Sequence, residues 1–167
     1  MITKLKNPKT ANYYEMKGRV LSNTFSWYHS DWQSNSHPGF FGHTIIGRPQ
    51  KDGHRYPEVI SDHAEFVHDV VLDILEYNDI VLNCIFRINF NLCYPQGDPK
   101  MSPWHVDHDF PHKNLIVYLT DSGGKTFVGD KFYDPKEDDA ITFDGSLEHC
   151  IETPIDKFRI SLVVTYM

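Results

Sequence analysis

The chain has 167 residues, of which 40 % are hydrophobic and 14 % aromatic. That size and composition suit one domain with a real core, and exclude wholesale disorder or a two-domain dinucleotide-dependent enzyme. Sixteen Lys and Arg against 23 Asp and Glu leave a net charge of −7, a poor balance for wrapping a nucleic-acid backbone.

Along the chain, the N-terminal stretch from Met1 to Gly18 lacks the apolar run of a signal peptide. No segment approaches the roughly 18 apolar residues of a membrane span. The three cysteines, Cys84, Cys93 and Cys150, are too few and odd in number for a disulfide framework. A cytoplasmic protein with no membrane partner is expected. Ser34 to Pro38 and Pro49 to Tyr56 read as surface loops of one domain.

Residues 59–77 carry the clearest helix signal, with Ile60, Ala64, Val67, Val71 and Ile74 recurring at three- and four-residue spacing. Ser61 is the expected cap, and Asn78-Asp79 the expected end. Beyond residue 80 the period changes to two. In Val81 to Leu92 the residues Arg87, Asn89 and Asn91 alternate with Ile88, Phe90 and Leu92, as on two faces of a strand. Asn114 to Thr120, Lys125 to Val128, Ala140 to Phe143 and Phe158 to Tyr166 read as further strands, separated by turns at Asp121-Ser-Gly-Gly124 and Asp144-Gly145. Many short strands with early helical bracing predict a mainly β fold: a double-sheet jelly roll.

Ten histidines are many for this length. His29, His37, His54, His63, His68 and His112 lie among polar or turn residues and are expected at the surface. His105 and Asp107 differ. They are two apart in a strand-like stretch, so an imidazole nitrogen and a carboxylate oxygen point to the same side. His149 follows the turn at Gly145 and supplies a third donor. Two His and one carboxylate with open positions form the facial triad of non-haem Fe(II) oxygenases. Arg159 and Ser161 are again two apart, inside an otherwise uncharged run. A charge in that setting needs a partner, and a guanidinium matches a carboxylate through a bidentate fork.

With those residues in place the chain resembles the 2-oxoglutarate and Fe(II)-dependent oxygenases. The family pattern of His-x-Asp, a distal His and then Arg-x-Ser about ten residues on is matched by His105-Val-Asp107, His149 and Arg159-Ile-Ser161. Arg87-Ile-Asn-Phe-Asn91, Val117 to Thr126 and Ile141 to Gly145 resemble the flanking strands. Phe25-Ser-Trp-Tyr28 and Phe41-Gly-His43 resemble the small prolyl-hydroxylase-like members of phages and bacteria. The likeness covers most of residues 20–166, within a single domain 1–167 whose motif core is 80–166.

The resemblance implies a cupin-like double-stranded β-helix braced by one or more N-terminal helices. It implies that His105, Asp107 and His149 ligate Fe(II). It also implies that Arg159, helped by Ser161, anchors the distal carboxylate of 2-oxoglutarate. Tyr94 and Tyr118 are alternatives for that carboxylate, although Asn91-Leu-Cys-Tyr94 is one residue longer than the Asn-x-Tyr of AlkB-type dealkylases. Asn89 or Asn91 is a candidate for the 1-carboxylate end of the co-substrate or for the substrate. The presence of Asp107 separates the chain from halogenases, which carry Gly or Ala there.

The implied reaction consumes O2 and 2-oxoglutarate, releases succinate and CO2, and uses ascorbate as an accessory reductant. The expected product is a hydroxylated protein or peptide side chain, on the prolyl-hydroxylase pattern, or a hydroxylated small amino-acid-like molecule. The expected setting is a bacterial or phage-infected cytoplasm. The alternatives are an AlkB-type nucleic-acid dealkylase, against which the acidic balance argues, and a non-catalytic jelly-roll binding protein. His43, Trp27, Tyr28, Trp32, Trp104, His108 and Phe110 are candidates for the site's mouth, with Ser30 to Gly42 as a lid.

Overall fold

The computed structural model describes residues 1–30, 39–49 and 56–167. Trp32, His37, His54, residues 31–38 of the expected lid and most of both predicted loops fall outside the described residues; the lid's ends, Ser30 and Phe40 to Gly42, belong to strands. The elements are β1 (Thr3–Leu5), α1 (Ala11–Val20), β2 (Tyr28–Ser30), β3 (Phe40–Gly47), β4 (Glu58–Val59), α2 (Ala64–Tyr77) and β5 (Ile85–Cys93). They continue with β6 (Lys113–Tyr118), β7 (Thr126–Val128), β8 (Lys131–Tyr133), β9 (Ala140–Asp144), β10 (His149–Ile151) and β11 (Arg159–Tyr166).

Every strand pairing is antiparallel. The major sheet runs β1-β9-β6-β11-β5-β3-β2, with β4 also on β3, and the minor sheet runs β10-β7-β8. Two facing sheets of this kind make the predicted jelly roll; β6→β7 and β9→β10 carry the chain to the minor sheet, and β8→β9 and β10→β11 return it. No helix of the described residues is long and apolar enough to cross a membrane.

The alternation read from the sequence sorts the major sheet into two faces. Ile88, Phe90, Leu115, Val117, Leu119, Ile160, Leu162 and Val164 point outward and form one core with Val67, Val71 and Ile74 of α2 and Tyr13, Met16 and Val20 of α1. The opposite side chains point between the sheets. Ile116, Tyr118, Val128, Ile141 and Phe143 form a second, smaller apolar cluster there. The outer core supplies most of the apolar burial, which leaves the inner face free to be polar.

Two expectations need correction. The second helix begins at Ala64, five residues later than the apolar period suggests, because Val59 pairs with Ile46 in β4 and Ile60 is exposed. His63 takes the cap position without a side-chain bond, while the Ser61 hydroxyl accepts from the His63 amide and meets His43 Nε2 at 2.9 Å. His112, expected at the surface, is buried with Nδ1 donating to the Phe110 carbonyl and its ring edge-on to His108. The Gly145 backbone makes room for it: a Cβ at that position would fall 2.2 Å from His112 Nε2.

Candidate metal centre

Three donors converge between the sheets. His105 and Asp107 lie on the β5–β6 crossover, and His149 opens β10. The crossover is pinned to the minor sheet by a two-way backbone bridge, His105 N–H to His149 O at 3.1 Å and His149 N–H to His105 O at 2.9 Å. That bridge brings the two rings to 4.5 Å. The candidate ligand atoms of His105, Asp107 and His149 all lie within 4.8 Å of one another.

The hydrogen bonds around the rings decide which nitrogens are available. His105 Nδ1 sits 3.0 Å from the Pro103 carbonyl, and His149 Nδ1 sits 3.1 Å from the Leu147 carbonyl. A carbonyl can only accept, so both Nδ1 atoms carry the proton and both Nε2 atoms present a lone pair. Backbone acceptors of this kind fix ring orientation and raise ligand basicity. His149 Nε2 faces Asp107 Oδ2 at 3.4 Å. Burial and the neighbouring His149 lower the affinity of His105 for a proton, which keeps the imidazole in its ligating form.

Asp107 is buried, and its two oxygens differ. Oδ1 accepts from Arg48 Nη2 at 2.6 Å and lies 3.7 Å from Arg87 Nη1. Oδ2 accepts from Asn114 Nδ2 at 3.0 Å and faces the histidines. Burial alone would push this carboxyl upward. The Arg87 and Arg48 charges outweigh it and hold Asp107 far below the usual carboxylate range. Arg48 and Arg87 are the functional neighbours that sequence spacing missed. The one visible signal was a charge on the inward side of the Arg87-Asn89-Asn91 alternation.

These groups line a cavity of about 240 Å³ that also takes in Asn91, Cys93, Ser102, Ile116, Ile151 and Val163. The strand register arranges the inner face of the major sheet, part of which lines the cavity, in rows. Arg87, Thr165 and Asn114 lie opposite one another, then Asn89, Val163 and Ile116, then Asn91, Ser161 and Tyr118, and finally Cys93 and Arg159. Of the predicted residues, Asn91 therefore lines the cavity beside the triad. Ser161 is buried in the same row.

Arg159 lies one row farther from the metal ligands, buried, with Nη1 donating to the Gly124 carbonyl at 2.6 Å and Nη2 donating to Thr126 Oγ1 at 2.8 Å. Its guanidinium also stands over the Tyr118 ring at 5.2 Å. The Tyr118 hydroxyl is 2.7 Å from Thr126 Oγ1, and burial pushes the phenol up to about 12. Tyr94 is 44 % exposed and packs edge-on against Phe158, outside the cavity.

Of the residues expected at the mouth, Tyr28 and His43 line a larger adjoining groove of about 760 Å³, bounded by β2, β3 and the start of α2. His108 and Phe110 instead stack together behind the site, with His108 Nε2 at 3.0 Å from Thr165 Oγ1. Trp27 packs on the outer core, and Trp104 packs at the surface against Phe127.

No family model and no curated protein matches the sequence. The fold, however, is shared with solved structures. A 2OG-Fe(II) oxygenase family oxidoreductase from Burkholderia pseudomallei superposes with a TM-score of 0.75 at 14 % identity, covering 99 % of this chain and 84 % of that one. A prolyl hydroxylase from Trichoplax adhaerens, in complex with a hypoxia inducible factor peptide fragment, gives 0.66 at 12 % identity, covering 99 % and 83 %. The epimerase SnoN from nogalamycin biosynthesis, in complex with Fe3+, alpha ketoglutarate and nogalamycin RO, gives 0.62 at 16 % identity, covering 99 % and 78 %.

Proposed function

We propose that this chain is a non-haem iron dioxygenase that uses 2-oxoglutarate and O2, releases succinate and CO2, and hydroxylates a peptide side chain or a small amino-acid-like molecule. The observation that carries this reading is the convergence of His105, Asp107 and His149 within 4.8 Å, with both imidazoles held by backbone carbonyls so that Nε2 faces the common point. A two-His, one-carboxylate set suits Fe(II) and leaves positions open for co-substrate and oxygen. When bound, the metal supplies oxygen activation.

The protein's own work is to orient and to exclude water. Asn114 and Arg48 grip the two Asp107 oxygens and fix the carboxylate plane. Asn91, Ser161 and Tyr118 share one row of β5, β11 and β6, and Arg159 lies one row farther, along the path that an extended dicarboxylate would follow from the metal. The Arg159 guanidinium is desolvated and its carbonyl partners do not neutralise it, so it suits the distal carboxylate. The fold likeness to a prolyl hydroxylase supports a peptide substrate as the first class to test. A nucleic-acid substrate has less support: among the described groove residues Arg87 is the only Lys or Arg.

The test is succinate release from 2-oxoglutarate with Fe(II), ascorbate and air, screened over proline-containing peptides, free amino acids and alkylated oligonucleotides. Succinate above background with a peptide or amino acid, lost in Asp107→Ala, is the expected result. Equal succinate from wild type and Asp107→Ala would remove the assignment.

A further inference from the structure

The outer edge of β3 is covered in two places. β2 pairs with Phe40–Gly42 and β4 with Ile46–Gly47, and the Ile45 carbonyl accepts from the Ile60 amide at 3.0 Å. His43 and Thr44 are left between the two short strands, and the larger groove lies there. Successive strand residues face opposite sides of a sheet, so this gap opens on both. His43 lies on the side of the outer core, against Phe25, and Thr44 on the inner side, bonded to Asn89. The groove continues to the metal cavity, because Phe40 and Arg87 line both.

Each side of the gap carries one hydroxyl, and in both the proton is already committed. On the outer side His43 is buried, with Nδ1 at 2.7 Å from the Ser26 carbonyl and Nε2 at 2.9 Å from Ser61 Oγ. A carbonyl only accepts, so Nδ1 carries the ring proton, and Nε2 of the neutral imidazole accepts from the Ser61 hydroxyl. The Ser61 oxygen also accepts from the His63 amide at 3.2 Å, which leaves it one lone pair. On the inner side Asn89 Nδ2 donates to the Phe90 carbonyl and to Asn91 Oδ1. That orients the amide, and its Oδ1 accepts from the Thr44 hydroxyl at 2.6 Å. Ser61 and Thr44 both line the groove. Neither has a proton to give, so each meets an occupant only as an acceptor. A site of fixed acceptors favours a group that brings hydrogens and rejects an analogue that lacks them.

Resting on the oxygenase reading above, we infer that the gap between β2 and β4 is a substrate subsite, in which Ser61 and Thr44 select a substrate nitrogen that carries hydrogens. That nitrogen is the ammonium of an amino acid or peptide N-terminus, or the amide N–H of a peptide backbone. His43 and Asn89 are positioning residues: they hold the two hydroxyl protons, and so fix Ser61 and Thr44 as acceptors. A tertiary amide or a quaternary ammonium leaves both oxygens without a donor.

The experiment uses the full chain loaded with Mn(II) and 2-oxoglutarate under argon. Mn(II) binding is measured by calorimetry, and probe binding by paramagnetic relaxation of probe protons. The probes are alanine and the tripeptide alanyl-prolyl-glycine, each with its terminal nitrogen free, acetylated or trimethylated. The trimethyl form keeps the positive charge and loses every N–H, so it separates charge from hydrogen-bond donation. The free or the acetylated form is expected to bind about tenfold or more tightly than the trimethyl form. Whichever of those two binds more tightly distinguishes ammonium from amide. In Ser61→Ala combined with Thr44→Val that preference falls to near unity with Mn(II) affinity retained, and each single variant lowers it partly. Ser61→Thr and Thr44→Ser, which keep the hydroxyls, retain it. His43→Phe, which frees the Ser61 proton, lowers it. Failure to bind Mn(II) would overturn the metal assignment and the subsite that rests on it. Mn(II) bound normally, but with the three forms bound alike, no probe relaxed, or the preference unchanged in the variants without hydroxyls, leaves the metal centre standing and overturns the subsite.

Discussion

His105 shows how a single side chain reports on its surroundings. Burial comes first and the adjacent His149 second in lowering its proton affinity, with the Pro103 carbonyl and Asp107 opposing them. In the unfolded chain a histidine titrates near ~6.5. The folded state therefore binds fewer protons than the unfolded state as pH falls below that value. Its contribution is fully present above about 6.5 and is lost as pH drops through the lower folded value. Urea unfolding of metal-free protein between pH 7.5 and 5 is expected to show falling stability, with a shallower slope in His105→Gln. Identical slopes would mean that His105 is not desolvated. The pairing of His105 with Asp107 was legible from spacing, because i and i+2 share a side in extended chain; His149 came from the family pattern. Arg48 was not, since it reaches Asp107 across 59 residues of sequence.

At the scale of elements, the strands that alternate cleanly were readable and the others were not. β5 and β11 carry polar residues on one side and apolar ones on the other, so period two marked them. β3 reads Phe-Phe-Gly-His-Thr-Ile-Ile-Gly and breaks its register between Thr44 and Ile46, which hides the alternation. An N-terminal helix was implied by the resemblance, but α1 was not placed by periodicity because Tyr13 does much of its burying and counts weakly as apolar, although Tyr13, Met16 and Val20 hold helical spacing. Thr10 caps that helix by accepting from the Tyr13 amide at 3.3 Å and donates to Asp73 of α2 at 2.7 Å. Both helices brace the outer face, remote from the metal ligands. Ile74→Ala, at a fully buried position of α2, is expected to cost about 2–5 kcal/mol in urea unfolding. Mn(II) affinity of the folded protein should stay within about threefold. A large loss of affinity at equal foldedness would show that the helix layer shapes the site.

For the whole molecule, the triad is where separate parts meet. His149 belongs to the minor sheet, His105 and Asp107 to the β5–β6 crossover, and Asn114 ties Asp107 to the major sheet. Arg48 and Arg87 bring in the ends of β3 and β5. An acidic chain of net charge −7 thus places two guanidiniums beside the Asp107 carboxylate at the centre of its sandwich. An ion bound there crosslinks the two sheets, and it binds the folded chain in preference to the unfolded one. At a metal concentration of about 100 times Kd, mass action adds about 2.7 kcal/mol. For a domain of this length each kcal/mol moves Tm by about 2–4 °C. Mn(II) under argon is therefore expected to raise the melting temperature by roughly 5–10 °C in differential scanning calorimetry. Asp107→Ala should melt at one temperature with and without the ion, because two imidazoles alone do not complete the site. A wild-type Tm indifferent to Mn(II), at concentrations that saturate any site detected by calorimetry, would place the ion outside the junction of the two sheets.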